Sequence, residues 1–145
     1  MIRLITILAV GVLFLQSCKK DEVVPNVRFE ICINLLQPKY SGTAFALNSV
    51  EEDYWGDRMQ VGYSGVIVYN VGGDRYNAFE RYCPHDRTDK CKVSLKNDDS
   101  AVCSCCKTEF LTMTGEVIKN SGPSKYGLKQ YKATKNSNNT LIISN

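Results

Sequence analysis

Two short stretches of this sequence read Tyr82-Cys83-Pro84-His85-Asp86 and Cys103-Ser104-Cys105-Cys106-Lys107-Thr108. The first contains the only histidine of the chain, two residues after a cysteine, and seventeen residues, 86–102, separate the two Cys/His boxes. A thiolate and an imidazole two apart on a tight turn can point the same way. Two such turns that face each other form a four-ligand pocket for iron or zinc.

Length and composition indicate one ordinary globular domain. A chain of 145 residues is of single-domain size. Its 43% hydrophobic and 23% charged residues are typical of soluble folds. The net charge of +3 is small and no dense basic patch alternates with aromatic residues, so we expect no nucleic-acid partner.

The N-terminus is typical of an export signal. Arg3 precedes an apolar run of twelve residues, 4–15, which is too short to span a membrane and has the length of a signal-peptide core. The run ends in Leu15-Gln16-Ser17-Cys18, which resembles a bacterial lipobox. That resemblance implies cleavage of residues 1–17 and acylation of Cys18. The other interpretation is a plain secretory signal with an incidental cysteine.

Lipid on Cys18 predicts a membrane partner and a place in the cell envelope. Residues 18–26 would then be a tether, and residues 27–145 the folded domain. The charged residues 19–22 resemble the tether that directs some lipoproteins to the cell surface. We therefore expect the outer membrane or the cell surface rather than the cytoplasm.

The body of the chain predicts an all-β fold. Apolar and polar residues alternate over 27–35, which is typical of a half-buried antiparallel strand. The apolar segment 66–69, the turn 71–74 and the return 75–82 predict a hairpin. The range 37–62 predicts a loop with one short strand, and no segment has sustained helical periodicity. Further short strands are expected at 93–95, 101–103, 109–111, 117–118, 129–134 and 141–143.

The box spacing resembles that of Rieske iron–sulfur proteins, whose pattern is C-x-H, a similar gap and then C-x-x-H. Phe110 and Gly115 fall where the family has an aromatic residue and a turn glycine. Gly122-Pro123, Leu128 and Tyr131 resemble the family's segment that packs over the cluster. The resemblance covers roughly residues 60–143. It implies a small antiparallel β sandwich or barrel with a rubredoxin-like subdomain that carries both boxes.

The resemblance implies the ligands of a [2Fe–2S] cluster. Cys83 and Cys103 would bind one iron, and His85 and Cys106 the other. Cys106 replaces the family's second histidine, and an additional thiolate should lower the reduction potential. Lys107 stands where the family has glycine, so the loop is expected to turn less tightly. Asp86 stands at an apolar position of the respiratory members, so the site is expected to be wetter.

The resemblance also implies a disulfide. Cys105 matches a loop-bridging cysteine of respiratory Rieske proteins, whose usual partner position is Thr88 here. Cys91 lies three residues later and would be the partner instead, which would connect the two cluster loops. Cys32 would remain a free thiol under a loop.

Two other interpretations of the boxes stay open. Exported thiols oxidise, so the box cysteines could form disulfides in a descendant of the fold without a cluster. The signal has no twin arginine, whereas clusters are normally inserted before export by the twin-arginine route. Three thiolates and one imidazole could also form a structural zinc site.

Two function classes follow. The first is one-electron transfer to or from a redox partner protein by a membrane-anchored Rieske-like protein. The second is a binding or structural lipoprotein that keeps the scaffold with disulfides or zinc. The sequence shows no Ser/His/Asp set and no nucleotide-binding glycine loop, which favours a carrier or binding protein over an enzyme.

Overall fold

A computed structural model describes residues 23–145. The predicted signal peptide, Cys18 and the first part of the tether lie outside this range. Across the described residues, no helix is both long and apolar enough to cross a membrane.

Strands make up nearly all of the regular structure, as the sequence predicts. One short 3₁₀ helix, Pro38–Tyr40, is the exception within residues 23–145. The strands are β1 (Glu30–Asn34), β2 (Ala44–Leu47), β3 (Val50–Glu52), β4 (Arg58–Gln60), β5 (Val66–Gly72), β6 (Arg75–Glu80), β7 (Val93–Leu95), β8 (Ser100–Cys103), β9 (Glu109–Leu111), β10 (Gln130–Lys135) and β11 (Thr140–Ser144).

Six of these strands form one antiparallel sheet in the order β1-β11-β10-β6-β5-β2. The alternation in β1 sets its register, because Ile31 and Ile33 are each 1% exposed while the residues between and beside them face outward. The main core lies on one face of this sheet and includes the buried side chains of Phe45, Leu47 and Tyr131. The prediction of an all-β antiparallel fold is confirmed.

A second, three-stranded sheet in the order β7-β8-β9 carries the two boxes. The first box lies between β6 and β7, and the second begins at the last residue of β8. A second apolar cluster fills the space between this sheet and the main sheet, and it includes Phe79, Phe110 and Leu128. The ring of Phe79 lies against Gly115, where a side-chain carbon would come within 2.6 Å of it.

The prediction of a loop with one short strand over residues 37–62 is wrong. The structure has three strands there, β2, β3 and β4, and the 3₁₀ helix. The hairpin of β3 and β4 is mostly exposed, with no buried residue in either strand. Its sequence therefore shows none of the alternation that reveals half-buried strands.

Glu80, the last residue of β6, connects the main sheet to the first box. Its side chain is fully buried, with 0% exposure. Its carboxylate accepts the N–H groups of Tyr63 (2.7 Å), Ser64 (2.8 Å) and Tyr82 (2.9 Å) and the hydroxyl of Tyr131 (2.7 Å). Burial, together with this bond to Glu80, raises the pKa of Tyr131. One carboxylate thus fixes the loop at 63–64 and the residue before Cys83 against β10.

Arg81 makes the second connection across the same junction. Its guanidinium donates to the carbonyl oxygens of Val93 (2.9 Å) and Leu47 (3.1 Å). The backbone N–H of Val93 in turn donates to the Arg81 carbonyl at 2.7 Å. Partial burial lowers the pKa of Arg81. The Arg81 side chain therefore connects the small sheet, at Val93, to β2 of the main sheet, at Leu47.

We expect Glu80→Gln to destabilise the domain by about 2–5 kcal/mol, since an amide leaves two of the four buried donors without an acceptor. Glu109→Gln is the matched control, because half-buried Glu109 pairs with the exposed Lys96. This substitution should cost about 1 kcal/mol or less. Urea unfolding followed by far-UV circular dichroism measures both. Equal effects of the two substitutions would contradict the role given to Glu80.

Candidate metal centre

The first box is a tight turn between β6 and β7, which belong to different sheets. Tyr82 forms an isolated bridge with Lys92, and the N–H of Cys83 donates to the carbonyl of Cys91 at 3.2 Å. The chain turns back because the N–H of Arg87 donates to the carbonyl of Cys83 at 3.2 Å, with Arg87 in the left-handed region at φ 47°. Cys83 is thereby buried at 0% exposure.

The second box repeats this turn. The N–H of Lys107 donates to the carbonyl of Cys103 at 3.2 Å, and Lys107 is left-handed at φ 61°. Cys103 is also 0% exposed, and its N–H donates to the carbonyl of Thr108 at 3.0 Å. The expectation that lysine loosens this loop is wrong. Lys107 adopts the conformation that favours glycine, since the backbone bonds of the turn require it.

A disulfide joins the two boxes. Cys91 and Cys105 are bonded, with their Cα atoms 5.4 Å apart. This is the pairing that the family resemblance implied. The four other cysteines in the described range, Cys32, Cys83, Cys103 and Cys106, are free thiols.

Three thiols meet at the end of the domain. The sulfurs of Cys83, Cys103 and Cys106 and a carboxylate oxygen of Asp86 all lie within 4.8 Å of one another. The Cys83 and Cys106 sulfurs are 3.7 Å apart. Burial raises the pKa of the Cys83 and Cys103 thiols. Because metals bind thiolates, loading this site must release protons.

Asp86 is half-buried, and its Oδ2 faces the sulfurs. Its Oδ2 lies 3.5 Å from the Cys103 sulfur and 3.7 Å from the Cys83 sulfur, and it accepts the Cys106 N–H at 3.0 Å. Desolvation raises the pKa of Asp86, but the hydrogen bonds from Cys106 and Cys103 outweigh it and the pKa lies below its usual value. This carboxylate therefore lies between the two boxes. The expectation that Asp86 makes the site wetter stays a prediction.

His85 lies on the other side of the same turn. It is exposed, and its ring nitrogens are not among the atoms that converge within 4.8 Å. It lines an open cavity of about 190 Å³ together with Pro84, Arg87, Pro123, Lys125 and Tyr126. The structure thus brings together three of the four sequence-predicted ligands and places the imidazole beside them, on the solvent side.

The segment predicted to support the site packs against the second box. A side-chain carbon on Gly122 would lie 2.4 Å from the Thr108 hydroxyl and 2.6 Å from its Cα, so only glycine fits. The Thr108 hydroxyl lies 3.2 Å from the Cys106 sulfur and accepts the N–H of Ser124 at 3.2 Å. Pro123 borders the His85 cavity. Tyr131 supports the site indirectly, because its hydroxyl donates a hydrogen bond to Glu80 within the main core.

The donor set fits an iron–sulfur group or a thiolate-bound metal. Two buried thiols, one half-buried thiol and a neighbouring imidazole supply the soft ligands that such groups require. Two turns connected by a disulfide present these donors at one end of the fold.

A family model described as the Rieske [2Fe-2S] domain matches residues 43–132. The chain belongs to this family. The match extends from just before β2 into β10 and includes both boxes, the disulfide and the Gly122-Pro123 segment. No curated protein and no solved structure significantly matches the chain.

This Rieske domain departs from the C-x-H and C-x-x-H pattern at its second box, where Cys106 replaces histidine. Sequence reasoning missed two residues that shape the centre, Glu80 and Asp86. In the sequence, Glu80 resembles an ordinary residue on the polar face of a strand. Its four hydrogen-bond donors become apparent only in the structure. Asp86 is three residues after Cys83, as Cys106 is after Cys103, and this equal spacing is the signal that could have revealed it.

We expect replacement of the disulfide by Cys91→Ser with Cys105→Ser to destabilise the domain by about 3 kcal/mol, since the bond closes a loop of this length. Removal of the disulfide should also make bound metal leave faster, because the two turns are no longer connected. Cys32→Ser is the control and should change neither property. Chemical unfolding and chelator-driven metal release measure the two effects, and unchanged metal release would contradict a role of the bond in the site.

Proposed function

We propose that this chain is a lipid-anchored Rieske protein that binds a [2Fe–2S] cluster and transfers single electrons. The observation that carries the proposal is the convergence of Cys83, Cys103 and Cys106 in a member of this family. The sequence places His85 at the family's histidine position of the first box.

The burial of the four residues supports different roles for them. Cys83 and Cys103 are inaccessible to water and would bind the inner iron. Cys106 is half-buried and His85 is exposed, so these two would bind the outer iron. The group, when bound, takes up and releases one electron. The residues of the chain determine the potential at which it does so.

Several features of the site would tune and shield the bound group. Phe79, Phe110 and Leu128 pack behind the inner thiols and keep water from that side. The Thr108 hydroxyl, 3.2 Å from the Cys106 sulfur, can donate to a thiolate there. A hydrogen bond to a ligand sulfur stabilises the reduced state and raises the potential.

The lipid and the redox partner are part of the proposal. A lipid on Cys18 would place the domain at a membrane of the cell envelope, six residues before the well-packed Val24. The open His85 cavity, which apolar Pro84 and Pro123 and cationic Arg87 and Lys125 also line, is where an electron-transfer partner protein would approach. We expect a carrier rather than an enzyme.

A second candidate is a binding or structural lipoprotein without the cluster. The 3.7 Å between the Cys83 and Cys106 sulfurs favours it, because such thiols can oxidise to a disulfide or share one zinc ion.

The deciding experiment is metal and sulfide analysis of the mature chain isolated from cells without oxygen. We expect two irons and two acid-labile sulfides per chain, the visible spectrum of an iron–sulfur protein, and loss of all three in Cys83→Ser. Cys32→Ser should keep them. An intact Cys83–Cys106 or Cys83–Cys103 disulfide without iron would exclude electron transfer, and one zinc without sulfide would establish a structural role.

Restoring the family residue tests the role of Cys106. We expect Cys106→His to raise the reduction potential by on the order of 100 mV, since an anionic thiolate is replaced by a neutral imidazole. The wild-type value should fall between about −400 mV, typical of all-cysteine ferredoxins, and the range of two-histidine centres above about −150 mV. Protein-film voltammetry measures both proteins, and an unchanged potential would show that Cys106 is not a ligand.

A further inference from the structure

The two boxes form turns of the same design. In each turn, the backbone carbonyl of a buried cysteine accepts the N–H of the residue four positions later. That residue has a left-handed backbone conformation, and it is Arg87 in the first turn and Lys107 in the second. In both turns, the side chain of the residue just before the left-handed one lies 3.7 Å from the Cys83 sulfur. This residue is Asp86 in the first turn and Cys106 in the second. Asp86 is therefore the structural counterpart of a thiol ligand.

Three distances within the group of three thiols and Asp86 match those of ligands on one metal ion. Zinc bonds of about 2.3 Å to sulfur and about 2.1 Å to a carboxylate oxygen, in tetrahedral directions, place two sulfurs about 3.8 Å apart and sulfur and oxygen about 3.6 Å apart. The Cys83 and Cys106 sulfurs are 3.7 Å apart. The Asp86 oxygen lies 3.5 Å from the Cys103 sulfur and 3.7 Å from the Cys83 sulfur.

Asp86 is also held in place for this role. The N–H of Cys106, in the opposite turn, donates to its Oδ2 at 3.0 Å. An oxygen that accepts such a bond keeps a second lone pair for a metal, and outer bonds of this kind orient ligating carboxylates. His85, in contrast, is exposed and lines the cavity outside this group.

We propose that Cys83, Asp86, Cys103 and Cys106 form a closed tetrahedral site for a single divalent ion, zinc above all, with the Asp86 carboxylate as the fourth ligand and His85 outside. Three thiolates and a carboxylate carry the same formal charge as the four thiolates of a common structural zinc site. The cations Arg87 and Lys107, next to the two ligand residues, offset that charge.

This site goes beyond the proposed electron transfer. A single ion and a [2Fe–2S] cluster need the same three thiols, so they exclude each other. The first turn offers a different residue to each: Asp86 inward to a single ion, and His85 outward in the family pattern of the cluster. An exported chain that receives no cluster would still have a metal that closes this end of the domain.

The test is metal binding by the metal-free mature chain with the Cys91–Cys105 disulfide intact, with Cys18→Ser and Cys32→Ser in every variant so that the only free thiols are Cys83, Cys103 and Cys106. Cobalt(II) serves as the spectroscopic probe, because its visible bands report tetrahedral geometry and thiolate ligation. Zinc affinity is then measured by competition with a chelator. We expect one ion per chain, tetrahedral bands, and displacement of cobalt by zinc.

The variants separate a ligand from a merely structural aspartate. Asp86→Asn keeps an oxygen for the Cys106 N–H but removes the carboxylate, and should lower zinc affinity by at least about 100-fold. Asp86→Cys should retain affinity and add the charge-transfer intensity of a fourth thiolate. His85→Ala should leave affinity unchanged. Asp89→Ala is the matched control, since Asp89 lies on the same loop and accepts the Tyr63 hydroxyl instead.

Three results would overturn the proposal. The first is wild-type affinity in Asp86→Asn, provided that circular dichroism shows each variant folded. The second is loss of affinity in His85→Ala, which would make the imidazole the fourth ligand. The third is no zinc bound by wild type whose three thiols are shown by alkylation to be free. Iron and sulfide in protein from cells test the electron-transfer proposal separately, so each can fail without the other.

Discussion

Glu80 occupies the one place where the main sheet, the loop before β5 and the first box meet. Placing a carboxylate in a site without water is costly unless all of its acceptor positions are used, and here four donors use them. The arrangement has a single good geometry, since the four donors come from three separate parts of the chain: residues 63–64, Tyr82 and Tyr131. The backbone of Tyr82 is thereby fixed, and the next residue, Cys83, lies at a fixed position in the candidate metal centre.

The two boxes of the candidate metal centre form turns of the same kind. Two turns with the same backbone bonds face each other, and the Cys91–Cys105 disulfide keeps them together. Each turn forces a basic residue, Arg87 or Lys107, into the left-handed region, at a cost of about 1–2 kcal/mol apiece. Backbone strain of this size persists only where surrounding bonds impose it. In this molecule it orients the donors before any metal arrives.

The sequence predicted what depends on local patterns. Alternation located β1, the apolar run located β5, and the box spacing led to the family and to three converging thiols. It could not predict what depends on distant partners. The exposed hairpin of β3 and β4 has no burial pattern, and Glu80 resembles any polar residue of a strand. Asp86 follows Cys83 at the spacing at which Cys106 follows Cys103, but the left-handed Arg87 that completes the first turn is a conformation that the sequence does not predict for an arginine.

The central claim is that Cys83, Cys103 and Cys106 share one metal centre in the native protein. The most direct measurement is a crystal structure of the protein isolated from cells without oxygen, with anomalous data above and below the iron and zinc absorption edges. We expect either two iron peaks, one in contact with the Cys83 and Cys103 sulfurs and the other with the Cys106 sulfur, or one zinc peak in contact with all three sulfurs. The absorption edge at which the peak appears identifies the metal. A Cys83–Cys106 or Cys83–Cys103 disulfide with no anomalous peak would contradict the claim.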